Sequence, residues 1–281
     1  MRSFAVSAAL VATLSLSAAA DDAVEIKLPV LKAGDKFKVT KTEKTKSAEA
    51  FEAGGKTSGK DKDESRLIVY TEEVVRAGTD GEKPAKTVRV YEKYDVTATK
   101  DGVPPLNTPI TITKKGNKFE FTTDKPLGEF AAALGREFNK PNEPSTKDFL
   151  PGKPVKPGDS WKIDPSKFVR SLAEEKLNVD AEKSVMTGKL LKTYTKDGKL
   201  FGVLELTAAF PLKDLGKEAV TLKSGVIKMA VNTDVCIDGT DGAESTRSVL
   251  GFDVVAEATG VKITIKSDGV LTSTKERLPR Q

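Results

Sequence analysis

Residues 155–163 read Val-Lys-Pro-Gly-Asp-Ser-Trp-Lys-Ile and contain the only tryptophan of the 281-residue chain. Residues 31–39, Leu-Lys-Ala-Gly-Asp-Lys-Phe-Lys-Val, repeat the same order of apolar residue, lysine, Gly-Asp pair, aromatic residue, lysine and apolar residue. A glycine can adopt the positive φ that closes a turn, and an aspartate can accept hydrogen bonds from nearby backbone N–H groups. The aromatic residue then begins a strand with its ring facing a core. Both stretches therefore predict a turn that leads into a strand.

The repeated pattern has two interpretations. Turns of this composition are common at the start of strands, so two independent turns would explain it. Alternatively, the two copies mark two related sub-domains that open in the same way. In either case the pattern assigns structural roles to six residues: Gly34, Asp35, Phe37, Gly158, Asp159 and Trp161. Trp161 is predicted to be mostly buried.

Strand-like alternation dominates the rest of the chain and predicts a mainly β protein with minor α structure. In residues 86–99, the apolar side chains at 88, 90, 94 and 96 predict a strand with these positions facing the core. Residues 110–122 predict a hairpin across Lys-Gly-Asn at 115–117. Residues 263–274 predict a second hairpin, with its turn at Ser-Asp-Gly. Residues 50–63 are polar and rich in glycine and lysine, and they predict a mobile connection.

Two helices are predicted. In the first, at about residues 127–138, apolar side chains recur at spacings of three and four and fall on one face: Leu127, Phe130, Leu134 and Phe138. We predict that this face contacts a ligand. The second helix begins with Asp164-Pro165, because an aspartate followed by proline is typical of a helix start, and it ends near residue 177.

These elements predict an N-terminal β-rich half at 21–140, a proline-rich connection at 141–157 and a C-terminal β-rich half at 158–281. The halves are expected to be related antiparallel sheets or half-barrels, each with one or two short helices. Residues 1–20 predict a signal peptide, with Arg2, an apolar run and three alanines before a cleavage site after about Ala20. We therefore expect a periplasmic or secreted protein that does not span a membrane after cleavage.

The composition excludes several kinds of chemistry. The chain has no histidine and a single cysteine, which rules out Ser-His-Asp triads, histidine-ligated zinc and thiolate metal sites. Its net charge of +5 is spread among alternating lysines and acids, unlike the basic stripe of a nucleic-acid-binding protein. We predict no catalytic residue, no metal site and no cofactor. Cys236 lies in a strand pattern and is predicted to be an inert core thiol.

Two stretches partly match ligand-binding motifs. Gly54-Gly55-Lys56-Thr57 matches the end of a phosphate-binding loop, but the flanking strand and helix are missing, so a loop is the favoured interpretation. Residues 234–245 place acids at two calcium-loop positions but lack the final glutamate. A turn is favoured there, and a weak surface calcium site is the alternative.

Residues 154–161, Pro-Val-Lys-Pro-Gly-Asp-Ser-Trp, together with the signal peptide, resemble an uncharacterised family of exported bacterial β-rich proteins with a Gly-Asp-x-Trp turn. The layout also resembles the half-barrel lipoprotein carriers of the bacterial envelope. This second resemblance implies a curved antiparallel sheet that holds acyl chains under short helices.

Taken together, the sequence predicts an exported, non-enzymatic binding or carrier protein of the bacterial envelope, with an apolar or lipid-like ligand. A structural or protein-interaction module of the envelope is the alternative, and a hydrolase is third. The partner is an apolar small molecule or an envelope component, and the oligomeric state stays open.

Overall fold

The structure, a computed structural model, describes residues 22–78, 83–97, 102–140, 144–215 and 219–279. Strands account for 60% of it and helices for 9%, which confirms the mainly β prediction. The described elements are β1 (Lys36–Ala53), β2 (Lys56–Arg76), β3 (Lys86–Val96), β4 (Pro109–Lys115), β5 (Lys118–Thr122), α1 (Phe130–Phe138), a 3-10 helix (Thr146–Phe149), β6 (Ser160–Lys162), α2 (Ser166–Glu174), β7 (Asn178–Val179), β8 (Val185–Lys196), β9 (Lys199–Asp214), β10 (Thr221–Cys236), β11 (Glu244–Ala258) and β12 (Val261–Arg277).

The strands form one antiparallel sheet in the order β5-β4-β3-β2-β1-β12-β11-β10-β9-β8-β6, with β7 beside β9. Its centre is the pair between the first and the last strand, in which Phe37 lies opposite Arg277 and Glu52 opposite Lys262. The sheet therefore continues from residues before 140 to residues after 158 without a break. The division into two halves at 141–157 stays a prediction, and the signal peptide lies outside the described residues.

Both helices cover the same face of the sheet, which we call the inner face. Across four strands, Val39 lies opposite Lys275, Lys275 opposite Glu244, and Glu244 opposite Val235, so these residues share one face. One apolar cluster joins α1 to β1–β4. It contains the strand residues Phe37, Val39, Tyr70, Tyr91, Ile110 and Ile112 and the helix residues Phe130 and Leu134. A larger cluster lies under α2 and includes Trp161, Leu190, Phe210, Ile227 and Val254. The two clusters are called the α1 cluster and the α2 cluster below.

The two Gly-Asp turns have the same hydrogen bonds. Asp35 accepts a bond from Lys32 N at 2.9 Å, and Asp159 accepts one from Lys156 N at 2.8 Å. Gly34 and Gly158 have φ angles of +83° and +94°. Each turn also exchanges two backbone hydrogen bonds with a strand residue. The glycine N–H donates to the carbonyl of that residue, and the aspartate carbonyl accepts from its N–H; the residue is Val74 for the first turn and Leu190 for the second. The predicted turn is therefore present twice, and Phe37 and Trp161 both enter buried strands, with Trp161 only 8% exposed.

The turns differ in the burial of their aspartates. Asp35 is buried and also accepts a bond from Arg277 Nη1 at 2.7 Å, whereas Asp159 is exposed. We expect Asp35→Ala to lower the free energy of unfolding by about 3 kcal/mol, because the buried turn loses its bond to Lys32 N and its charged bond to Arg277, which is left with Asp241 at 3.1 Å. Asp159→Ala should cost about 1 kcal/mol, as an exposed turn bond does. Urea unfolding of both variants measures the two losses of stability. Equal losses would contradict the larger contribution expected of the buried Asp35.

Three local predictions are wrong. Residues 50–63 are not a loop, since β1 and β2 continue as a hairpin that turns at Gly54-Gly55, and both glycines have positive φ. This hairpin also removes the context of a phosphate-binding loop. Residues 263–274 are not a hairpin but the interior of β12, paired on both sides with β1 and β11.

The third error concerns β3, whose buried side chains are Thr87, Arg89 and Tyr91 rather than Val88 and Val90. By contrast, the hairpin of β4 and β5 is confirmed. Both helices are confirmed but shorter than predicted. Helix α1 begins at Phe130 because Gly128, at a φ of +53°, forms a turn just before it.

Candidate functional site

Residues 22–31 form a strap across the inner face. The strap is bonded to the connection before β6, where Val24 N donates to Val155 O at 2.8 Å and Val155 N donates back to Val24 O at 2.9 Å. Further along, Lys27 N donates to Ile237 O at 2.8 Å. Ile26 is buried in the α2 cluster, and Leu31 packs against the α1 cluster. The strap thus joins the two clusters.

A groove of about 1030 Å³ lies beneath this strap. Its walls come from the strap, from the end of α1, from the β4–β5 hairpin, from the connection after residue 144 and from the ends of β10 to β12. The apolar lining includes Ile26, Leu28, Val30, Leu31, Phe119, Phe138, Leu150 and Val235. A volume of this size exceeds that of most small-molecule pockets, which are about 300–1,000 Å³. The groove is large enough for a ligand with a long apolar body.

The charged residues of the groove are mostly cationic. Among the described residues, six lysines and two glutamates line it, namely Lys27, Lys83, Lys114, Lys140, Lys147 and Lys275 with Glu25 and Glu244. Two of the lysines are held by aromatic rings: Lys83 Nζ lies 5.4 Å from the Phe138 ring centre, and Lys275 Nζ lies 4.4 Å from that of Phe37. Apolar walls with a cationic rim suit an amphipathic anion.

A second, smaller cavity of about 300 Å³ lies between α1 and strands β1 to β3. At its base is Arg89, which is only 3% exposed. Its guanidinium donates to Glu72 Oε2 at 2.7 Å and 3.0 Å, to Glu137 Oε2 at 3.0 Å and to Tyr91 Oη at 2.9 Å. Arg89 also lies 4.1 Å from the Tyr70 ring centre and 5.1 Å from that of Phe138. This network fixes the last turn of α1 on the sheet.

The two carboxylates keep Arg89 charged. Burial disfavours the charged guanidinium, but Glu72 and Glu137 outweigh it and raise the pKa of Arg89. Burial alone lowers the pKa of an arginine and raises the pKa of a carboxyl group such as that of Glu137. Arg89 and Lys41 nevertheless lower the pKa of Glu137 below its ordinary value. Burial raises the pKa of Tyr91 to about 12, and it also raises the pKa of Tyr70, so both phenols stay protonated at neutral pH.

The structure separates the four residues predicted to contact a ligand. Phe138 lines the groove beneath the strap, and Phe130 lines the smaller cavity. Leu134 is fully buried in the α1 cluster, and Leu127 packs against that cluster. Ligand contact by this helix face therefore stays a prediction for Phe130 and Phe138, while Leu127 and Leu134 pack in the core.

Sequence reasoning missed the arginine network, and it predicted residues 26–30 only as a short strand or extended lead-in, without their place across the inner face. Arg89 stands between two valines in β3, where a buried charge is unexpected without known partners. Its partners come from a neighbouring strand and from the end of a helix, so no local pattern shows them. The strap has a weak signal, since Ile26, Leu28 and Val30 alternate with polar or turn residues, as a strand would.

The calcium alternative at residues 234–245 is not supported by the arrangement of its acids. Asp234 accepts the Tyr194 hydroxyl at 2.7 Å, and Asp238 accepts Leu200 N at 2.8 Å. In the described part of the chain, no group of three or more acidic, cysteine or histidine side chains could hold a metal ion. Cys236 is buried as predicted, and its thiol donates to Asp238 Oδ1 at 3.0 Å.

No family model matches this chain, and no curated protein matches it. A solved DUF1329 family protein from Desulfovibrio piger is 10% identical, with 80% of this chain and 83% of that chain covered and a TM-score of 0.13. The COG4313 outer membrane channel from Pseudomonas putida is also 10% identical, with 90% and 98% covered and a TM-score of 0.17. TM-scores this low carry no argument about fold or function. Over the described ranges, no helix has the length and apolar character needed to span a membrane.

Proposed function

We propose that this chain is an exported, non-enzymatic binding or carrier protein for an amphipathic ligand with an apolar body and an anionic head. The observation that carries the proposal is the groove of about 1030 Å³ beneath the strap, which has apolar walls and six lysines. The apolar body would lie against Leu28, Val30 and Phe138, and the anionic head would lie near the lysines. Fatty acids and acidic lipids have this chemistry.

Export is supported by the predicted signal peptide at residues 1–20, whose apolar run and small residues are typical of secretory signals. A carrier in the cell envelope would meet lipids there. The lack of histidine supports a function without acid–base catalysis at neutral pH, since histidine is the side chain that titrates there.

The first test is native mass spectrometry of the protein purified gently from its own cell envelope. We expect additional mass that is lost on denaturation and appears as lipid in an organic extract. The second test is a fluorescence titration of the purified chain with dansyl-labelled undecanoic acid. An apo mass that persists after incubation with envelope lipids, together with no change in dansyl emission, would overturn the proposal.

The binding site is tested with two matched valines. Val30 lines the groove and is 48% exposed, and Val103 is 54% exposed and does not line it. We expect Val30→Asp to weaken binding of the dansyl acid by tenfold or more, because the new carboxylate is placed against the apolar body and repels the anionic head. Val103→Asp should change binding of the dansyl acid by less than twofold. Equal effects of the two substitutions would place the ligand elsewhere.

A further inference from the structure

The inner face of the sheet continues beyond the groove. The groove lining includes Val235, Glu244 and Lys275, which lie opposite one another on β10, β11 and β12. Every second residue along a strand points to the same face, so three further rows of the inner face follow from these residues. The rows, which we call the trough, are Thr233 with Thr246 and Ser273, Val231 with Ser248 and Leu271, and Met229 with Leu250 and Gly269.

Small side chains line most of the trough. Five of its nine residues are serine, threonine or glycine, whose side chains project little above a sheet. The α1 cluster rises on one side, over β1 to β4, and the α2 cluster, with residues of β8 and β9, rises on the other. The trough is therefore a shallow depression that leads away from the groove.

The far end of the trough is an exposed apolar patch. Leu250 is 50% exposed and Leu271 is 38% exposed. The two lie diagonally across β11 and β12, because Leu271 is opposite Ser248, two residues from Leu250, and long side chains at such positions are within reach of each other. Met229 is directly opposite Leu250 and packs against the α2 cluster. The leucines therefore extend an apolar surface into solvent, which is typical of a binding surface.

The row between the groove and the patch is compatible with an apolar chain lying over it. The hydroxyl groups of Thr233 and Thr246 are 3.2 Å apart and form a hydrogen bond with each other. A chain that covers them therefore does not leave these two hydroxyls without a partner, which is what makes burial of a polar group costly.

The distance from the groove to the patch matches a long acyl chain. Lys275 and Leu271 are four residues apart on β12, which corresponds to about 13 Å. Glu244 and Leu250 are six residues apart on β11, which corresponds to about 20 Å. An extended palmitoyl chain has about the second of these lengths, and an octanoyl chain has about half of it.

We propose that the trough holds the distal part of a long acyl chain whose carboxylate end lies in the groove beneath the strap. The inference rests on the proposed function and narrows its ligand to acids with a long, unbranched chain. The chain covers Leu250 and Leu271 and removes their apolar surface from water, which strengthens binding. A short chain ends before it reaches them.

The first test compares octanoate and palmitate as competitors of the dansyl acid, each below its micelle concentration and with the full chain. We expect palmitate to bind at least tenfold more tightly, because each buried methylene group contributes up to about fourfold. A smaller difference would overturn the inference and leave the groove as the binding site. Failure of the dansyl acid itself to bind would overturn the proposed function together with the inference.

A double variant and a matched control locate the end of the chain. Leu250→Gln combined with Leu271→Gln keeps the length of both side chains and makes them polar. The control is Leu191→Gln in β8, which is outside the trough and 37% exposed. We expect the double variant to weaken palmitate binding at least tenfold and octanoate binding less than twofold, and the control to change neither by more than twofold. Equal effects of the double variant and the control on palmitate would refute the inference.

A further measurement uses the wild-type chain, so it does not depend on the folding of a variant. Stearate with a nitroxide near its methyl end should broaden the amide NMR signals of Leu250 and Leu271. Stearate with the nitroxide near its carboxylate should broaden those of Val235 and Lys275. The reverse pattern, or no broadening at either leucine, would end the proposal. A wild-type dimer that the double variant dissociates would also end it, because a second copy would then cover the patch.

Discussion

Gly188→Ala is expected to lower the free energy of unfolding by about 3 kcal/mol. The indole ring of Trp161 lies flat over Gly188 in β8, and a Cβ at this position would stand only 2.5 Å from Cζ2 and closer still to Nε1 and Cε2. The ring cannot move away cheaply, because Trp161 Nε1 donates to Phe149 O at 2.8 Å and the side chain is buried in the α2 cluster. An alanine would force the indole out of this position.

The measurement is urea unfolding followed by tryptophan fluorescence. Trp161 is the only tryptophan, so its emission reports directly on this contact. We expect the native emission of Gly188→Ala to shift to longer wavelength as the ring gains contact with water. The matched control is Gly251→Ala in β11, where the nearest atom to a Cβ is Asp268 Oδ1 at 3.5 Å. The control should change stability by less than about 1 kcal/mol, as strand glycines with room for a side chain do. Equal losses in the two variants would refute the argument.

Arg89→Met is expected to cost about 3–5 kcal/mol, because it keeps the approximate volume but leaves Glu72 and Glu137 beside a buried apolar site without their shared cation. Adding Glu72→Gln and Glu137→Gln should restore part of the loss, since the unpaired charges are then removed. If the triple variant is no more stable than Arg89→Met, the loss comes from packing and not from the unpaired carboxylates.

The loss in Arg89→Met should also depend on pH. In the wild-type chain the pKa of Glu137 lies below its ordinary value of 4.5. Its ionised form therefore stabilises the fold above about pH 4.5, and this contribution is lost as pH falls through the lowered pKa. Without Arg89, only Lys41 and Lys83 oppose the effect of burial, so the pKa of Glu137 is higher in the variant than in wild type. Glu137 of the variant is then protonated at a higher pH, and this removes the unpaired charge. The difference in unfolding free energy between wild type and Arg89→Met should shrink from pH 7 to pH 4. A difference that is constant over this range would contradict the role of Glu137.

Local chemistry was sufficient to predict those elements that rest on contacts near in sequence. The β4–β5 hairpin has a Lys-Gly-Asn turn between two alternating strands, and both Gly-Asp turns bond to their own preceding lysines. The second helix follows Asp164, whose carboxylate accepts Ser166 N at 3.0 Å. Each of these signals is complete within a few residues.

The errors come from contacts that are distant in sequence. Residues 50–63 are polar because the end of the β1–β2 hairpin is exposed on both faces, so no alternation marks the strands. Ser267-Asp268-Gly269 has the composition of a turn, but its backbone is held extended by β1 on one side and β11 on the other. In β3, the ion pairs of Arg89 with Glu72 and Glu137 decide which face is buried.

Prediction of the candidate site was less complete than prediction of the fold. Phe130 and Phe138 were found from their spacing on α1, and each lines a cavity. The groove itself is assembled from the strap, the connection and strand ends that lie far apart along the chain. Neither its volume nor its excess of lysines has a local signature.

The pairing of β1 with β12 has a consequence for how the chain folds. The ion pair of Asp35 with Arg277 joins residues separated by 242 positions, so the centre of the sheet cannot form until almost the whole chain is available. Contacts of such long range slow folding, because loop closure precedes any gain from pairing. During synthesis, the β1 edge that pairs with β12 would stay unpaired until β12 has been made. A chain of this topology remains unfolded for longer after synthesis. The unfolded state is the one in which polypeptides are threaded through a narrow translocation channel.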